Sequence, residues 1–227
     1  MAIFGGGSNL AWTVALDRPL SSAHIRIALF EFSGCMSPNL TASPTLFPQA
    51  WQNCNRWHAA LPAAIAATHP SIVLTSSAAY ESPDTDAAWV AAYADQIEQI
   101  RVRVPTAKFV VMGSTPIFTT SVPNCVRDHQ RSLGACTFLE STLIRDKKTF
   151  NGTNAQAFSA IVARDVDVAT ASGATLIPTE AWLCAGGRCP AVIGNYLVYR
   201  DDRHFFTPFL TALGPVVDHA LRDAGIY

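Results

Sequence analysis

The sequence predicts an α/β protein in which a parallel sheet of about five strands is covered by helices on both faces. Short β-branched and aromatic runs alternate with longer segments of helical periodicity along the 227 residues, which is the pattern of strand–helix–strand units. Hydrophobic residues make up 49% of the chain and charged residues 15%, as in a protein with a large core. Neither repeats nor linker-like segments interrupt the alternation, so we expect one domain over residues 1–227.

The first third of the chain alternates regularly between the two kinds of element. The β-branched and aromatic residues of the second apolar run favour a strand. In the Ala-rich segment that follows, Trp51, Cys54 and Leu61 share one helical face, and Pro62 is expected to kink or interrupt that helix. The predicted elements are a strand at 2–4, a helix at 9–16, a strand at 25–32, a helix at 48–67 and a strand at 72–75.

The rest of the chain continues the pattern around one irregular segment at 117–150. Trp89, Tyr93 and Ile97 recur at helical spacing, and Thr207-Pro208 is a good helix start, with a cap followed by a first-turn proline. The predicted elements are a helix at 86–104, a strand at 108–112, a helix at 155–171 that stops at Gly173, the last strand at 174–177 and a helix at 207–223.

Residues suited to chemistry follow the predicted strands. In parallel sheets of this kind, ligands bind beyond the carboxyl ends of the strands. We therefore expect the following residues to gather at one edge of the sheet: Ser8, Gly34, Ser76, Ser77, Gly113, Ser114, Asp201 and His204.

Composition narrows the classes of partner. The net charge is −1 and no basic stripe stands out, so we expect no nucleic-acid partner. The apolar runs are far too short to cross a bilayer, and the first residues lack the pattern of a signal peptide.

Six cysteines suggest three disulfides. An even count allows fifteen pairings, and we favour the sequence neighbours Cys35–Cys54, Cys125–Cys136 and Cys184–Cys189, because each pair would close one loop. The alternative is six buried free thiols. Disulfides imply an oxidising compartment, which together with the missing export signal suggests an excised outer domain whose membrane or signal part lies upstream.

A serine stands in the Gly-rich turn Gly5-Gly6-Gly7-Ser8-Asn9. Directly after a strand and at a helix start, it would lie among unpaired backbone N–H groups and near the positive end of the helix dipole. That setting suits a nucleophilic oxygen and the oxyanion formed by its attack. Two alternatives remain open, namely that the turn is a flexible linker or that Ser8 only caps the helix.

Near the other end of the chain, Asp201 and His204 are three residues apart. On a helical turn this spacing points both side chains the same way, so the carboxylate could accept the ring N–H and fix the tautomer of the imidazole. A surface pair without a role is the alternative. Asp202 is a second candidate for the carboxylate that orients His204, but its side chain would point elsewhere. The remaining histidines are interpreted as solvated or structural.

These motifs resemble an SGNH (GDSL-type) hydrolase, and more closely the SGNH domain fused to integral-membrane acyltransferases of family three. The likeness spans nearly the whole chain. It is carried by the strand followed by Gly-x-Ser8, Ser33-Gly34-Cys35, Val122-Pro123-Asn124-Cys125, Leu183-Cys184 with Cys189, and Tyr199-Arg200-Asp201-Asp202-Arg203-His204.

The resemblance implies a flavodoxin-like three-layer sandwich, the SGNH hydrolase fold. It implies an extracytoplasmic O-acyltransferase or acylesterase that moves acetyl groups on or off glycan hydroxyls. Its nucleophile would be Ser8, its general base His204, the residue orienting that base Asp201, and one oxyanion donor the N–H of Gly34. The expected partners are an acyl donor, a glycan acceptor and an upstream membrane acyltransferase domain. We expect a monomer that uses no metal or cofactor.

The chain departs from the family pattern at two places. The nucleophile block usually reads Gly-Asp-Ser-His, whereas Gly7 and Asn9 flank Ser8 here, and an ungapped match would put Gly7 at the nucleophile position. The Asn of the third block is absent from Leu74-Thr75-Ser76-Ser77-Ala78. A non-catalytic glycan-binding or scaffold domain on the same fold therefore remains an alternative. A cytosolic small-molecule binder of flavodoxin type is another, and free thiols would favour it.

Overall fold

The computed structural model describes residues 1–32, 35–40, 48–76, 86–118, 120–142 and 158–227, apart from the side chains of residues 8, 9, 48–51 and 142. Nine strands occur in this part of the chain. They are β1 (Ala2–Gly5), β2 (Ala28–Glu31), β3 (Ile72–Ser76), β4 (Lys108–Met112), β5 (Thr137–Leu139), β6 (Thr175–Ile177), β7 (Arg188–Pro190), β8 (Val192–Ile193) and β9 (Tyr196–Leu197).

Seven α-helices accompany these strands in the described residues. They are α1 (Ser8–Ser22), α2 (Pro48–Ala66), α3 (Asp86–Arg101), α4 (Val122–Asp128), α5 (Phe158–Ser172), α6 (Glu180–Leu183) and α7 (Thr207–Asp223).

Five strands form one parallel sheet in the order β2-β1-β3-β4-β6. The strands β1, β3 and β4 are apolar and almost fully buried, as expected for a parallel sheet covered on both faces. Helix α1 packs against α7, while α3 packs against α5 and α2. The predicted α/β sandwich with a five-stranded parallel sheet is therefore confirmed.

The strand order locates the point where a ligand is expected. The chain passes from β1 outward to β2 and then crosses back to β3 on the other side of β1. The connections after β1 and β3 thus leave the sheet in opposite directions, which opens a crevice at the carboxyl ends of these two strands. Ser8 follows β1 directly and Ser76 is the last residue of β3.

Most predicted elements agree with the structure to within a few residues, and the differences have physical reasons. The second strand begins at Ala28 instead of residue 25 because the N–H of Ile25 donates to the carbonyl of Leu20, at the end of α1. Pro62 lies inside α2 without ending it, so the predicted interruption is wrong. The N-cap of α7 is Phe206, with no side-chain hydrogen bond, so the cap predicted at Thr207 is also wrong.

The segment predicted as irregular contains ordered elements. Helix α4 and strand β5 lie between residues 117 and 142, and β5 pairs with β7, which lies about fifty residues further along. Three short strands follow β6, so β6 is the last strand of the main sheet but not of the chain. No helix in the described ranges has the length and hydropathy of a membrane span.

The three disulfides join the predicted neighbours Cys35–Cys54, Cys125–Cys136 and Cys184–Cys189, and none of the six cysteines is free. The first disulfide ties the segment after β2 to α2, the second ties α4 to the turn before β5, and the third closes the turn before β7. The alternative of six free thiols is therefore wrong.

Gly214 sets the close packing of α7 on α1. A Cβ at this position would lie 2.6 Å from the carbonyl oxygen of Ala15, so Gly214→Ala must push the helices apart. Overpacking costs about 1–3 kcal/mol, which we expect to exceed the ~1 kcal/mol that Ala gains over Gly as a helix former. Urea titration should therefore show a lower free energy of unfolding. Gly134→Ala is the matched control, because a Cβ there meets nothing within 4 Å. A Gly214→Ala chain as stable as the wild type would contradict this account.

Candidate active site

A cleft of about 150 Å³ lies at the carboxyl edge of the sheet, where the strand order places the crevice. Its walls come from four parts of the chain that are far apart in sequence. They are the turn after β1, the end of β3, the segment after β4 and the loop before α7, represented by Gly7, Ser76, Gly113, Thr115, His204 and Phe205.

Asp201 and His204 form a hydrogen-bonded pair. One carboxylate oxygen of Asp201, Oδ2, lies 2.7 Å from His204 Nδ1. The other, Oδ1, accepts the backbone N–H groups of Arg203 at 2.8 Å and His204 at 2.7 Å. The predicted pairing is therefore present, but the two residues lie in a tight bend and not on a helical turn.

Several contacts stabilise the bend that carries Asp201 and His204. Tyr199 and Phe205 form an antiparallel bridge, and their rings stack with centroids 5.1 Å apart. The N–H of Arg200 donates to the carbonyl of His204 at 2.8 Å, and the N–H of Phe118 donates to the carbonyl of Asp202 at 2.8 Å. The position of the imidazole is thus fixed by backbone contacts as well as by the carboxylate.

The neighbouring carboxylate does not compete for the imidazole. Asp202 Oδ1 contacts Arg203 Nε at 3.1 Å, which agrees with the prediction that it points elsewhere. Partial burial on its own would raise the pKa of Asp201. The N–H groups of His204 and Arg203 and the His204 ring outweigh that effect and hold the pKa below its usual value. Asp201 is therefore ionised near neutral pH.

The turn that carries Ser8 reaches the same cleft. Helix α1 begins at Ser8 with Gly7 at its N-cap, so the alternative that Ser8 merely caps the helix is wrong. The Ser8 side chain lies outside the described part of the chain. Its backbone neighbour Gly7 nevertheless lines the cleft together with His204.

Gly6 in this turn serves close packing, which argues against a flexible linker. A Cβ on Gly6 would lie 2.4 Å from the carbonyl oxygen of Cys35, so only glycine fits this contact. The turn after β1 is therefore packed against the segment that follows β2.

Gly34, the predicted oxyanion donor, lies outside the described residues, but the segment that follows it is well anchored. The N–H of Cys35 donates to the carbonyl of Phe32 at 3.0 Å, and the disulfide to Cys54 ties the segment to α2. The hydroxyl of Ser37 donates to the carbonyl of Ser76 at the end of β3. These contacts hold the chain after Gly34 beside the Ser8 turn and the end of β3.

A buried network behind the cleft was missed by sequence reasoning. Asp165 accepts the N–H of Ser114 at 2.6 Å and lies 3.1 Å from its hydroxyl, and Thr179 donates to the carbonyl of Ser114 at 2.6 Å. Burial raises the pKa of Asp165 to about 7, although the hydrogen bonds from Ser114 and the charge of Arg164 act in the opposite direction. The network fixes the segment that supplies Gly113 and Thr115 to the cleft.

The sequence holds one signal for this network. Asp165 is in register with Phe158, Ile161, Val168 and Ser172 on the buried face of α5. A carboxylate on an apolar helix face requires a hydrogen-bond partner inside the protein. The identity of that partner, 51 residues away in sequence, cannot be read from spacing.

The described residues offer one cluster with the spacing of metal ligands, formed by Glu140, Cys184 and Cys189, whose ligand atoms lie within 4.8 Å of one another. The two sulfur atoms form a disulfide and are not available as thiolate ligands. We therefore assign no metal to this cluster.

Comparison with known proteins identifies the family. The family model described as "SGNH domain (fused to AT3 domains)" matches residues 9–219, and the chain belongs to this family. No curated protein sequence matches the chain.

Solved structures share the fold. The lipopolysaccharide acetyltransferase periplasmic domain of Salmonella ser. Paratyphi A aligns with a TM-score of 0.72 at 14% identity, over 100% of this chain and 84% of that one. A peptidoglycan O-acetylesterase aligns with a TM-score of 0.53 at 15% identity, over 88% of this chain and 47% of that one. TesA aligns with a TM-score of 0.53 at 16% identity, over 98% of this chain and 99% of that one.

The buried Asp165 should make stability depend on pH. Because its pKa is raised in the folded chain, the folded state binds more protons than the unfolded state, and the free energy of unfolding falls as the pH rises towards 7. When the pH is raised from 5 to 7, we expect the free energy of unfolding of the wild type to fall by roughly 1–2 kcal/mol more than that of Asp165→Asn, as measured by urea titration.

Asp167→Asn is the matched control, because it removes an exposed carboxylate from the same helix. This variant should follow the pH dependence of the wild type. The same pH dependence in Asp165→Asn and the wild type would show that Asp165 is not protonated preferentially in the folded state.

Proposed function

We propose that this chain is an extracytoplasmic O-acyltransferase or acylesterase domain that moves acetyl groups on or off glycan hydroxyls through an acyl group carried by Ser8. One observation carries the proposal: His204, hydrogen-bonded to Asp201, lines the same cleft as Gly7, which directly precedes Ser8 at the start of α1. Membership of the SGNH domain family supports it.

Each nitrogen of the imidazole has its own role in the proposed mechanism. With Nδ1–H donating to Asp201 Oδ2 at 2.7 Å, Nε2 is left as the proton acceptor. In the proposed mechanism His204 Nε2 takes the proton of the Ser8 hydroxyl as Ser8 Oγ attacks the carbonyl carbon of the acyl donor. Asp201 stabilises the imidazolium that forms, and the N–H of Gly34 stabilises the oxyanion.

Collapse of the tetrahedral intermediate expels the donor alcohol, which takes its proton from His204. A sugar hydroxyl or a water molecule then attacks the acyl-Ser8 ester and gives its proton to His204. The bond between the acyl carbon and Ser8 Oγ breaks, His204 returns the proton to Oγ, and acylated sugar or acetate is released. Transfer and hydrolysis share the covalent step and differ in how well the site excludes water and holds the sugar. Incubation with an acetyl donor and a glycan, scored for acetylated glycan against free acetate, separates the two reactions.

The size and lining of the cleft favour a short acyl group. The cleft measures about 150 Å³, and Leu10, Ala11, Val14 and Leu210 form an apolar wall. An acetyl group fits such a space better than a long acyl chain.

The named structural neighbours, an acetyltransferase of lipopolysaccharide and an O-acetylesterase of peptidoglycan, support a glycan substrate. The family description, which mentions fusion to AT3 domains, supports a membrane acyltransferase domain upstream as the partner. Three disulfides and a periplasmic neighbour favour an oxidising compartment outside the cytoplasm. We further propose that residues 1–227 act as one monomeric domain.

Asp201→Asn tests the roles of the pair. An Asn side chain can still accept the two backbone N–H groups through its oxygen, but its NH₂ group faces His204 Nδ1 and favours the wrong tautomer of the ring. We expect kcat for p-nitrophenyl acetate hydrolysis to fall by roughly 10²–10⁴-fold, with the far-UV circular dichroism spectrum unchanged.

Asp202→Asn is the matched control, because it neutralises the adjacent carboxylate, which contacts Arg203 and not the imidazole. Its rate should stay close to that of the wild type. Equal rates for Asp201→Asn and Asp202→Asn would remove the basis for the proposed mechanism.

A further inference from the structure

Two cationic residues that the mechanism does not use line the cleft. Arg200 and Arg203 line it together with His204, and none of the described lining residues is acidic. Asp201, Asp202 and Glu31 carry the nearby negative charge but are not among the lining residues. Of these, Glu31 lies beside the Gly7 turn, where its Oε1 is 3.7 Å from the position that a Cβ on Gly7 would take.

The two guanidinium groups differ in how they are engaged. Arg203 contacts Asp202 Oδ1 at 3.1 Å, and 23% of its side chain is exposed. Arg200 Nε forms a long ion pair with Asp201 Oδ2 at 3.9 Å, beyond hydrogen-bonding distance, and 64% of the Arg200 side chain is exposed. Arg200 is therefore the cation that can turn towards a ligand at the mouth of the cleft.

The backbone of Arg200 is fixed although its head group is exposed. Its N–H donates to the carbonyl of His204 at 2.8 Å, within the bend that holds the imidazole. A ligand group bound by Arg200 would consequently lie within the reach of this side chain from His204.

Two parts of the chain give the cleft different chemistry. Leu10, Ala11 and Val14 are apolar and come from α1, whereas the guanidinium groups of Arg200 and Arg203 come from the bend before α7. A guanidinium presents paired N–H donors that match the oxygens of a carboxylate or phosphate. The acyl group and an anionic group of the same substrate could thus be bound by different parts of the lining.

We propose that Arg200 recognises an anionic group, a carboxylate or a phosphate, carried by the glycan near the hydroxyl that is acylated. The substrate class would then be acidic glycans in preference to neutral ones. The acylation reaction in this inference rests on the proposed function. The preference for an anionic substrate rests on the residues that line the cleft.

The test compares three acetylated sugars of similar size: methyl glucoside as the neutral ester, methyl glucuronoside as the carboxylate and glucose 6-phosphate as the phosphate. For the wild type we expect kcat/KM to be roughly tenfold higher for at least one acidic ester than for the neutral one. Which of the two is preferred tells carboxylate from phosphate. In Arg200→Gln this preference should disappear, mainly through KM.

Two further variants control for charge and for indirect effects. Arg200→Lys keeps the charge and should keep part of the preference for the acidic ester. Arg188→Gln removes an exposed charge from β7, which does not line the cleft, and should keep the whole preference. The neutral ester reports any effect of Arg200 that acts through Asp201, because such an effect lowers all three rates equally. Equal kcat/KM for the three esters in the wild type, or an unchanged preference in Arg200→Gln, would overturn the proposal.

Failure of the proposed function gives a different result. If the wild type hydrolyses none of the esters, calorimetric titration with the same compounds decides the charge preference alone. Tighter binding of an acidic ester that is lost in Arg200→Gln would support the proposal. Equal binding of acidic and neutral esters would overturn it.

Discussion

The carboxylate of Asp201 is the interaction on which the candidate site depends. One oxygen accepts two backbone N–H groups and shapes the bend, and the other contacts the imidazole of His204. The same group therefore sets both the path of the chain and the orientation of the imidazole. An ionised carboxylate suits both tasks, and its hydrogen bonds keep it ionised by lowering its pKa. In this way a short loop can hold an imidazole in one orientation without help from a helix.

The sheet supplies the second requirement, which is to bring the two ends of the chain together. Because β1 lies between β2 and β3 in a parallel sheet, the turn after β1 opens at the crevice where ligands bind in such folds. Helix α1 begins at that turn and packs against α7, whose start follows the Asp201–His204 bend directly. The packing of α1 on α7 thus places the Gly6-Gly7-Ser8 turn and His204 at one cleft.

The sequence was a good guide where structure follows local patterns. The strand at 108–112 and the helix at 207–223 were predicted with correct bounds, because apolar runs and helical periodicity report burial directly. The spacing of Asp201 and His204 identified the pair, although the geometry that joins them is a bend. Sequence proximity also gave the correct disulfides.

Contacts between residues that are distant in sequence could not be predicted. Strand β5 is three residues long and depends on β7, and Asp165 depends on Ser114 across 51 residues. The contact between Gly6 and the carbonyl of Cys35 likewise gives the Gly-rich turn a purpose that its composition alone does not reveal.

In the proposed mechanism His204 activates the hydroxyl of Ser8. The most direct measurement is mass spectrometry of peptides after treatment of the full chain with a serine-reactive phosphonate. We expect a mass shift on the peptide that contains Ser8, and we expect this shift to be lost in His204→Ala. An unlabelled Ser8 peptide in the wild type, or equal labelling in His204→Ala, would contradict the account and favour a binding or scaffold role for this SGNH domain.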